Sequence, residues 1–342
     1  MTDGIIGAMN LSALGEFGLI ELIRENVQST YQNCTATGGR VLLGIGDDTA
    51  AWRPGPLAEL ATTDTLVQDV HFSFQWCTWS DLGHKSLAVN LSDIAAMGGT
   101  PRYALVSLSC PGEVEVGDVV AYYRAMTTLA VAHDVAIVGG NLTRAPLVMS
   151  TVMLMGEVDG ACMLRRDAAM PGDLIAVTGL LGGAAAALRL LQHSPEGVAS
   201  IPAPLLDALL RPHPRMAEGR ALAAHGIRCG IDLSDGLLSD LGHVVEASGV
   251  SATIEASRLP ACDWPGASGE ERLQGALGGG EDYELLFTGA PGLVAGAIDT
   301  CPCPVAIVGR IGARTGAPAI TVLDDAGQSI DVSHTGWRHF GR

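Results

Sequence analysis

Apolar residues recur at helical spacing over EFGLIELIREN, residues 16 to 26, and predict a short helix after a leading stretch that reads as a mobile extension. RVLLGIGDDTA then predicts a strand running into a turn, and ELATTDTLVQDVHF a second strand that ends in acidic and polar residues. Helical spacing returns in DLGHKSLAVNLSDIAAMGG, with Leu87, Leu91 and Ile94 on one face, Asn90 and Asp93 on another, and Gly98 and Gly99 as the stop. RYALVSLSCPG, AIVGGNLTR and LVMSTVMLMGEV predict strands around the helix GDVVAYYRAMTTLAVAHDV. Beyond residue 170 the pattern continues more loosely. DLIAVTG, GEDYELLFTG and VAIVGRI predict strands, GGAAAALRLLQ and MAEGRALAAHG predict helices, and IDLSDGLLSDLGHVVEASG predicts a turn into a long helix. The alternation defines an α/β (α+β) chain. An extension over residues 1–14, a domain over 15–160 and a second over 161–342 are expected, with PGD at 171 to 173 opening the second.

The 342 residues suffice for two ordinary domains. With 48% hydrophobic residues, 17% charged and 44 glycines, the composition excludes disorder beyond the ends. A formal net charge of −17 argues against a nucleic-acid partner, because phosphate backbones are bound through lysine and arginine. The 8 cysteines are scattered, and the one close pair, Cys301 and Cys303, lacks the two-residue spacer of a zinc or redox motif. Most of them read as small buried hydrophobes in a reducing compartment. MTDGIIGAMN has no basic segment followed by an apolar core, and no uninterrupted apolar run could span a bilayer, so a cytoplasmic protein without a membrane partner is expected.

Five aspartate-bearing motifs carry the candidate chemistry: GIGDD ending at Asp48, ATTD at Asp64, NLSD at Asp93, IDLSDG with Asp232 and Asp235, and GGED at Asp282. Carboxylates gathered in one pocket repel one another unless a hard cation sits among them, and Mg²⁺ held that way usually also holds phosphates. No GxxxxGK[ST] loop and no GxSxG element is present, which argues against a P-loop kinase and a serine hydrolase. Alone, GDD at 46 to 48 reads as an ordinary turn. Thr62 and Thr63 beside Asp64 offer three oxygen donors at the end of one strand. IDLSDGL reads equally as a helix N-cap by Ser234 and Asp235 or as an oxygen-rich metal or phosphate site. GGGEDYEL reads as a hairpin turn or as a loop whose glycines let backbone approach a ligand.

GEFGLI at 15 to 20, GIGDDTA at 44 to 50, TTDTLVQDVHF at 62 to 72 and HKSLAVNLSDIAAMGGTP from 84 follow one another in a fixed order. GGNLTR at 139 to 144, IDLSDGLLSDLGH at 231 to 243, GGEDYELLFT at 279 to 288 and GWRHF at 336 to 340 complete the series. With these motifs the chain resembles the thiamine-monophosphate kinases, in the superfamily of aminoimidazole ribonucleotide synthetase and selenophosphate synthetase. The resemblance implies a two-domain fold of that superfamily, with N-terminal domains forming a shared β-barrel in a homodimer. It implies γ-phosphoryl transfer from ATP to thiamine monophosphate, several Mg²⁺ ions, and a C-terminal domain that completes the active site. It places Asp48, Thr62, Thr63, Asp64, Asp93, Asp232 and Asp235 on the metals, with Asp47 as a weaker candidate. Gly140, Arg166 and Ser234 become nucleotide contacts, and His71, Glu281 and Trp337 contacts to the thiamine phosphate. No catalytic base is implied, because the acceptor phosphate is already an anionic nucleophile.

One motif departs from the family. GGNLT stands where the family pattern is GGDTT, so Asn141 replaces a metal-binding aspartate next to the nucleotide contact Gly140. Asparagine keeps a carbonyl oxygen but loses a charge, which predicts a raised magnesium requirement. The alternatives are a superfamily enzyme with another acceptor, disfavoured by the VHF and GWRHF elements, and a catalytically silent nucleotide-binding homologue, for which Asn141 is the only encouragement.

Overall fold

The computed structural model describes residues 16–27, 30, 40–43, 51–52, 54–193, 197–314, 316, 319–330, 332 and 336. The chain divides into two compact units, Met1–Leu91 with Pro101–Glu157, and Ser92–Thr100 with Val158–Arg342.

The elements lying wholly or mostly in the first unit are α1 (Glu16–Val27), β1 (Val41–Leu43), β2 (Ala51–Trp52), β3 (Ala58–Val67), α2 (Trp79–Ala96), β4 (Thr100–Cys110), α3 (Val116–Ala132), β5 (Ala136–Arg144) and β6 (Met149–Val158). Leu19, Ile23 and Val27 recur every fourth residue on α1 and are buried, which is why this segment is helical and why it docks on α3. Strands β3, β6, β4 and β5 lie in that order in one sheet, with β4 and β5 parallel and Tyr103 opposite Ala136. The buried Tyr122 hydroxyl of α3 hydrogen-bonds Ser150 Oγ of β6 (2.7 Å). Ser150 donates to Ser86 Oγ of α2 (2.8 Å), and Ser86 donates to Leu82 O (2.7 Å). The order of donors leaves Tyr122 as the donor at the head of this chain, and burial, which pushes its pKa up to about 12, keeps it protonated. Near the start of β1, Glu157 accepts from Arg40 through both carboxylate oxygens (3.0 Å each) and from Arg102 Nε and Nη2 (2.9 and 2.7 Å).

The second unit carries β7 (Leu174–Thr178), α4 (Gly183–His193), α5 (Ala203–Leu210), α6 (Met216–His225), β8 (Cys229–Asp232), α7 (Leu237–Ser248), β9 (Ser251–Glu255), α8 (Gly269–Gly278), β10 (Leu285–Gly289), α9 (Pro291–Thr300), β11 (Val305–Gly312) and β12 (Ile320–Leu323). Its six strands run in the order β12, β9, β11, β7, β10, β8, antiparallel throughout except for the parallel pair β12 and β9. Ile175, Val177, Ile231 and Leu286 of the sheet pack with Leu237, Leu241, Val244 and Val245 of α7 in one core. The strand expected over GEDYELLFTG begins only at Leu285. Glu281 and Tyr283 adopt φ of 68° and 50°, left-handed values that no strand continues through. Among the described cysteines, Cys77, Cys110 and Cys229 are buried as expected, but Cys162, Cys262, Cys301 and Cys303 are partly exposed. Among the described residues, no helix is long and apolar enough to cross a membrane.

Candidate functional site

In the first unit, the strand period of two separates the TTD donors. Thr62 and Asp64 share the face of β3 that carries the buried Leu66. Thr63 points to the other face, where its hydroxyl donates to Val152 O (3.1 Å) beside the hydroxyl pair Thr65 and Thr151 (2.8 Å). The three donors therefore do not converge through their side chains, and they lie within β3 rather than at its end. Asp64 is fixed by its own amide, which donates to Oδ1 of the fully buried Asn90 on α2 (3.1 Å), while Asn90 Nδ2 donates to Ser86 O (3.0 Å).

After β3 the chain turns back through Asp69, at φ 61°, and the amide of Val67 donates to His71 Nδ1 (3.0 Å). That bond makes Nδ1 the acceptor, so a neutral His71 carries its proton on Nε2. Gly140 and Asn141 lie on β5, at the opposite edge of the sheet from β3. A Cβ on Gly140 would sit 1.9 Å from the Val106 carbonyl oxygen, so close packing of β4 already requires this glycine. Asn141 is exposed and donates from Nδ2 to Thr143 Oγ1 (2.8 Å). Asp47, Asp48 and Trp337 lie outside the described residues.

The second unit gathers more of the candidates. Asp232 ends β8 almost fully buried, and its Oδ2 accepts from Ser92 Oγ (2.7 Å), next in the chain to the partly exposed Asp93. The following turn, Leu233 to Gly236, is laced to the segment before β10. Glu281 N donates to Ser234 O (2.7 Å), Tyr283 N to Leu233 O (2.8 Å) and Leu233 N to Glu284 O (2.8 Å). Ser234 and Glu281, assigned by resemblance to nucleotide and acceptor, are thus direct backbone partners. Arg166 is exposed on the surface, with its carbonyl accepting from Ser248 Oγ (2.8 Å).

Two residues that the sequence reading passed over join this site. Asp235, Asp240 and His243 bring one ligand atom each to within 4.8 Å of one another, and among the described residues this is the group of three that could hold a metal ion. Asp240 is buried, and its Oδ2 accepts from the amides of Asp235 and Gly236 (3.1 Å each). Burial and then the Asp235 charge push its pKa up to about 7, against those amide bonds and the Arg166 charge. Two carboxylates that repel in this way, with an imidazole beside them, fit a divalent cation, which would relieve the repulsion. The signal was present in SDGLLSDLGH: Asp240 and His243 are three apart on a helix and share a face.

Asp282, in contrast, serves the fold. Both its oxygens accept from Gly182 N (3.0 and 2.9 Å), and the amides of Gly183 and Ala184 also bond it, so the carboxylate caps the start of α4. Burial raises its pKa, opposed by those amides. Glu284 accepts from Thr178 Oγ1 (2.6 Å) and from Arg215 through Nε (2.6 Å) and Nη2. A Cβ on Gly179, which sits at φ 59°, would fall 2.1 Å from the Glu284 carboxylate. Only glycine fits at that position.

Residues 46–158 match the family described as AIR synthase related protein, N-terminal domain, and residues 170–317 match its C-terminal domain. The thiamine-monophosphate kinase of Salmonella typhimurium is 38% identical over 336 residues, 96% of this chain and 99% of that protein. That of Bacillus subtilis is 34% identical over 306 residues, 87% of this chain and 93% of its own length. A crystal structure of the Stenotrophomonas maltophilia thiamine-monophosphate kinase superposes with a TM-score of 0.78 at 37% identity, covering 94% of this chain and 99% of that one. A structure described as AaThiL complexed with AMPPCP and TMP gives 0.71 at 31% identity, covering 97% and 99%. The hydrogenase maturation protein HypE of E. coli, at 17% identity and a TM-score of 0.73, shares the fold. The architecture is thus the two-domain α/β fold of the AIR synthase related proteins. Within it, the chain belongs to the thiamine-monophosphate kinase family.

Proposed function

We propose that this protein is an ATP-dependent kinase that transfers the γ-phosphoryl group of ATP to the phosphate of thiamine monophosphate, giving thiamine diphosphate and ADP. The observation that carries the reading is the pairing of Glu281 N with Ser234 O at 2.7 Å, which joins on one laced turn two residues that the resemblance assigns to the acceptor and to the nucleotide. Near-full-length similarity to enzymes of that name, and a relative's structure with an ATP analogue and TMP, support the same chemistry.

In this reading Asp48, Thr62, Asp64, Asp93, Asp232 and Asp235 hold several Mg²⁺ ions, with Asn141 in place of an aspartate and Asp240 and His243 supporting Asp235. Bound Mg²⁺ supplies charge neutralisation between two anionic phosphates. Thr63, whose hydroxyl is engaged by Val152, contributes through the strand it fixes. Gly140, Asn141, Arg166 and Ser234 serve the nucleotide, and His71, Glu281 and Trp337 the thiamine phosphate. His71 offers its Nε2 proton to an anionic oxygen, because Nδ1 is taken by the Val67 amide. An oxygen of the acceptor phosphate attacks the γ-phosphorus and the bond to the ADP oxygen breaks. No residue has to remove a proton.

We also place the first unit as the metal- and nucleotide-binding domain and the second as the domain completing the active site, with a cytoplasmic location. A homodimer built on a barrel shared by the first units is supported by the exposed Met153 of β6 and by β3 and β5 ending the sheet in both directions. A monomer at dilute concentration that stays fully active would count against it.

The test is chromatography of products after incubation with Mg-ATP and thiamine monophosphate, thiamine or no acceptor. Thiamine diphosphate and ADP formed only with the monophosphate are expected. Intact ATP in every tube, with folded protein and excess Mg²⁺, would overturn the reading.

A further inference from the structure

Outside the donor sets described above, Cys301 and Cys303 bracket Pro302 at the junction of α9 and β11 with their sulfurs 4.0 Å apart. Cys301 closes α9, donating its amide to Ala297 O (2.9 Å), and its backbone is extended at φ −68° and ψ 132°. In an extended chain, residues two apart face the same side, and Pro302 with its fixed φ holds that geometry. Both side chains are partly exposed, so a small solute can reach them.

The neighbouring Cys303 thiol, rather than the ionic surroundings, favours a thiolate at Cys301, where the Glu218 charge outweighs that of Arg215. Arg215, whose charge bears on both sulfurs, is locked by Glu284 and flanked by Glu218 (3.6 Å). Burial alone would lower the Arg215 pKa, but the Glu284 hydrogen bond and charge raise it, so the cation persists. The Cys301 pKa is lowered to about 7, first by the hydrogen bond from Cys303 and further by the Cys303 amide and the Arg215 charge, against burial and Glu218. The Cys303 thiol is pushed up, so one sulfur is the nucleophile and the other the proton-bearing partner. A disulfide needs the sulfurs to close to about 2 Å, a distance that rotation of two partly exposed side chains can cover.

We propose that Cys301 and Cys303 form an oxidisable dithiol that closes to an intrachain disulfide when the protein meets a peroxide. The Cys301 thiolate attacks a peroxide oxygen, the O–O bond breaks, and with one proton the leaving oxygen departs as water when the oxidant is hydrogen peroxide. The sulfur of Cys303 then attacks the Cys301 sulfenic acid. The S–S bond forms, and hydroxide leaves with the Cys303 proton as a second water. Two thiols are oxidised by two electrons and one peroxide is reduced, and a small dithiol reverses the reaction. The site is independent of the kinase reading.

Trypsin separates the pair cleanly, because the peptide from Leu273 to Arg310 contains Cys301 and Cys303 and no other cysteine. The folded protein is treated with hydrogen peroxide, alkylated, digested and weighed. The expected result is a peptide that has lost two hydrogens and takes no alkyl group, restored by dithiothreitol. Cys301→Ser and Cys303→Ser should each abolish the two-hydrogen loss. Overturning results are a peptide that gains oxygen without that loss, or one that stays fully alkylatable while Cys162 or Cys262 is oxidised.

Discussion

Removing Asp282 separates a structural carboxylate from a metal-binding one. In Asp282→Ala, Gly182 loses both acceptors of its amide, and Gly183 and Ala184 lose a shared one. Loss of a helix cap costs about 1–2 kcal/mol, and a buried amide left without a partner adds about 1–3 kcal/mol. Part of this is offset, because burial already opposes the charged carboxylate, whose pKa stands well above its ordinary value. A net loss of about 2–4 kcal/mol follows, on the order of 10 °C in melting temperature for a unit of this size. Asp282→Asn keeps one acceptor and sheds the buried charge, so it should cost only about 1 kcal/mol. Thermal and urea unfolding, each with and without Mg²⁺, measure the loss, and the Mg²⁺ dependence of activity is recorded on the same variants. The expected outcome is lowered stability, equal with and without the ion, and an unchanged magnesium requirement. An alanine variant that melts like the wild type but needs ten times more Mg²⁺ would refute the reasoning.

The remaining predictions concern the other charged and hydroxyl groups. Glu157 has a pKa lowered from 4.5, chiefly by the Arg40 hydrogen bond and then by Arg102, so its stabilisation is present above that pH and is lost as pH falls through the lower folded-state value. Glu157→Gln should therefore cost about 1–3 kcal/mol at neutral pH, a deficit that shrinks toward pH 3 in urea titrations. A deficit that is constant with pH would exclude the ion pair as its source. Asn141→Asp should lower the Mg²⁺ concentration for half-maximal activity, and an unchanged value would remove the argument from GGNLT. Thr62→Val should raise the magnesium requirement, whereas Thr63→Val should cost about 1 kcal/mol through the lost bond to Val152 and leave that requirement alone. The reverse assignment in a magnesium titration would show that the faces of β3 have been misread.

Where a segment's own spacing decides its structure, the sequence was sufficient. Leu87, Leu91 and Ile94 on α2 are fully or almost fully buried, and β4, β7 and α7 fall where their patterns predicted. The helix α8 was legible but unread. Ser268 and Glu271 form a capping box, a pattern visible in SGEE at 268 to 271, yet the apolar content that follows is too low to draw the eye. The short β12 is a strand only because it pairs with β9 at the sheet's edge, and β9 because it lies between β12 and β11, contacts that are not local. The candidate site was harder still. An aspartate looks the same in sequence whether it faces a metal, as proposed for Asp235, or a helix terminus, as Asp282 does. Adjacency in TTD suggested convergence that the strand's alternation forbids.

The segment that presents Glu281 has no freedom of its own. The amides of Glu281 and Tyr283 are bonded to carbonyls of the turn after β8, Asp282 grips α4, and Glu284 is clamped by Thr178 and Arg215. Irregular segments at binding sites usually belong to the least stable part of a protein and open far more readily than the whole. Here the amide protons of Glu281 and Tyr283 are held by carbonyls of the turn that follows β8, and Leu233 N returns a bond to Glu284 O, so exchange requires this laced turn to open. They should therefore exchange more slowly than those of an unbonded loop, and the backbone of Glu281, the residue proposed above to contact the acceptor, is held in place before any ligand arrives.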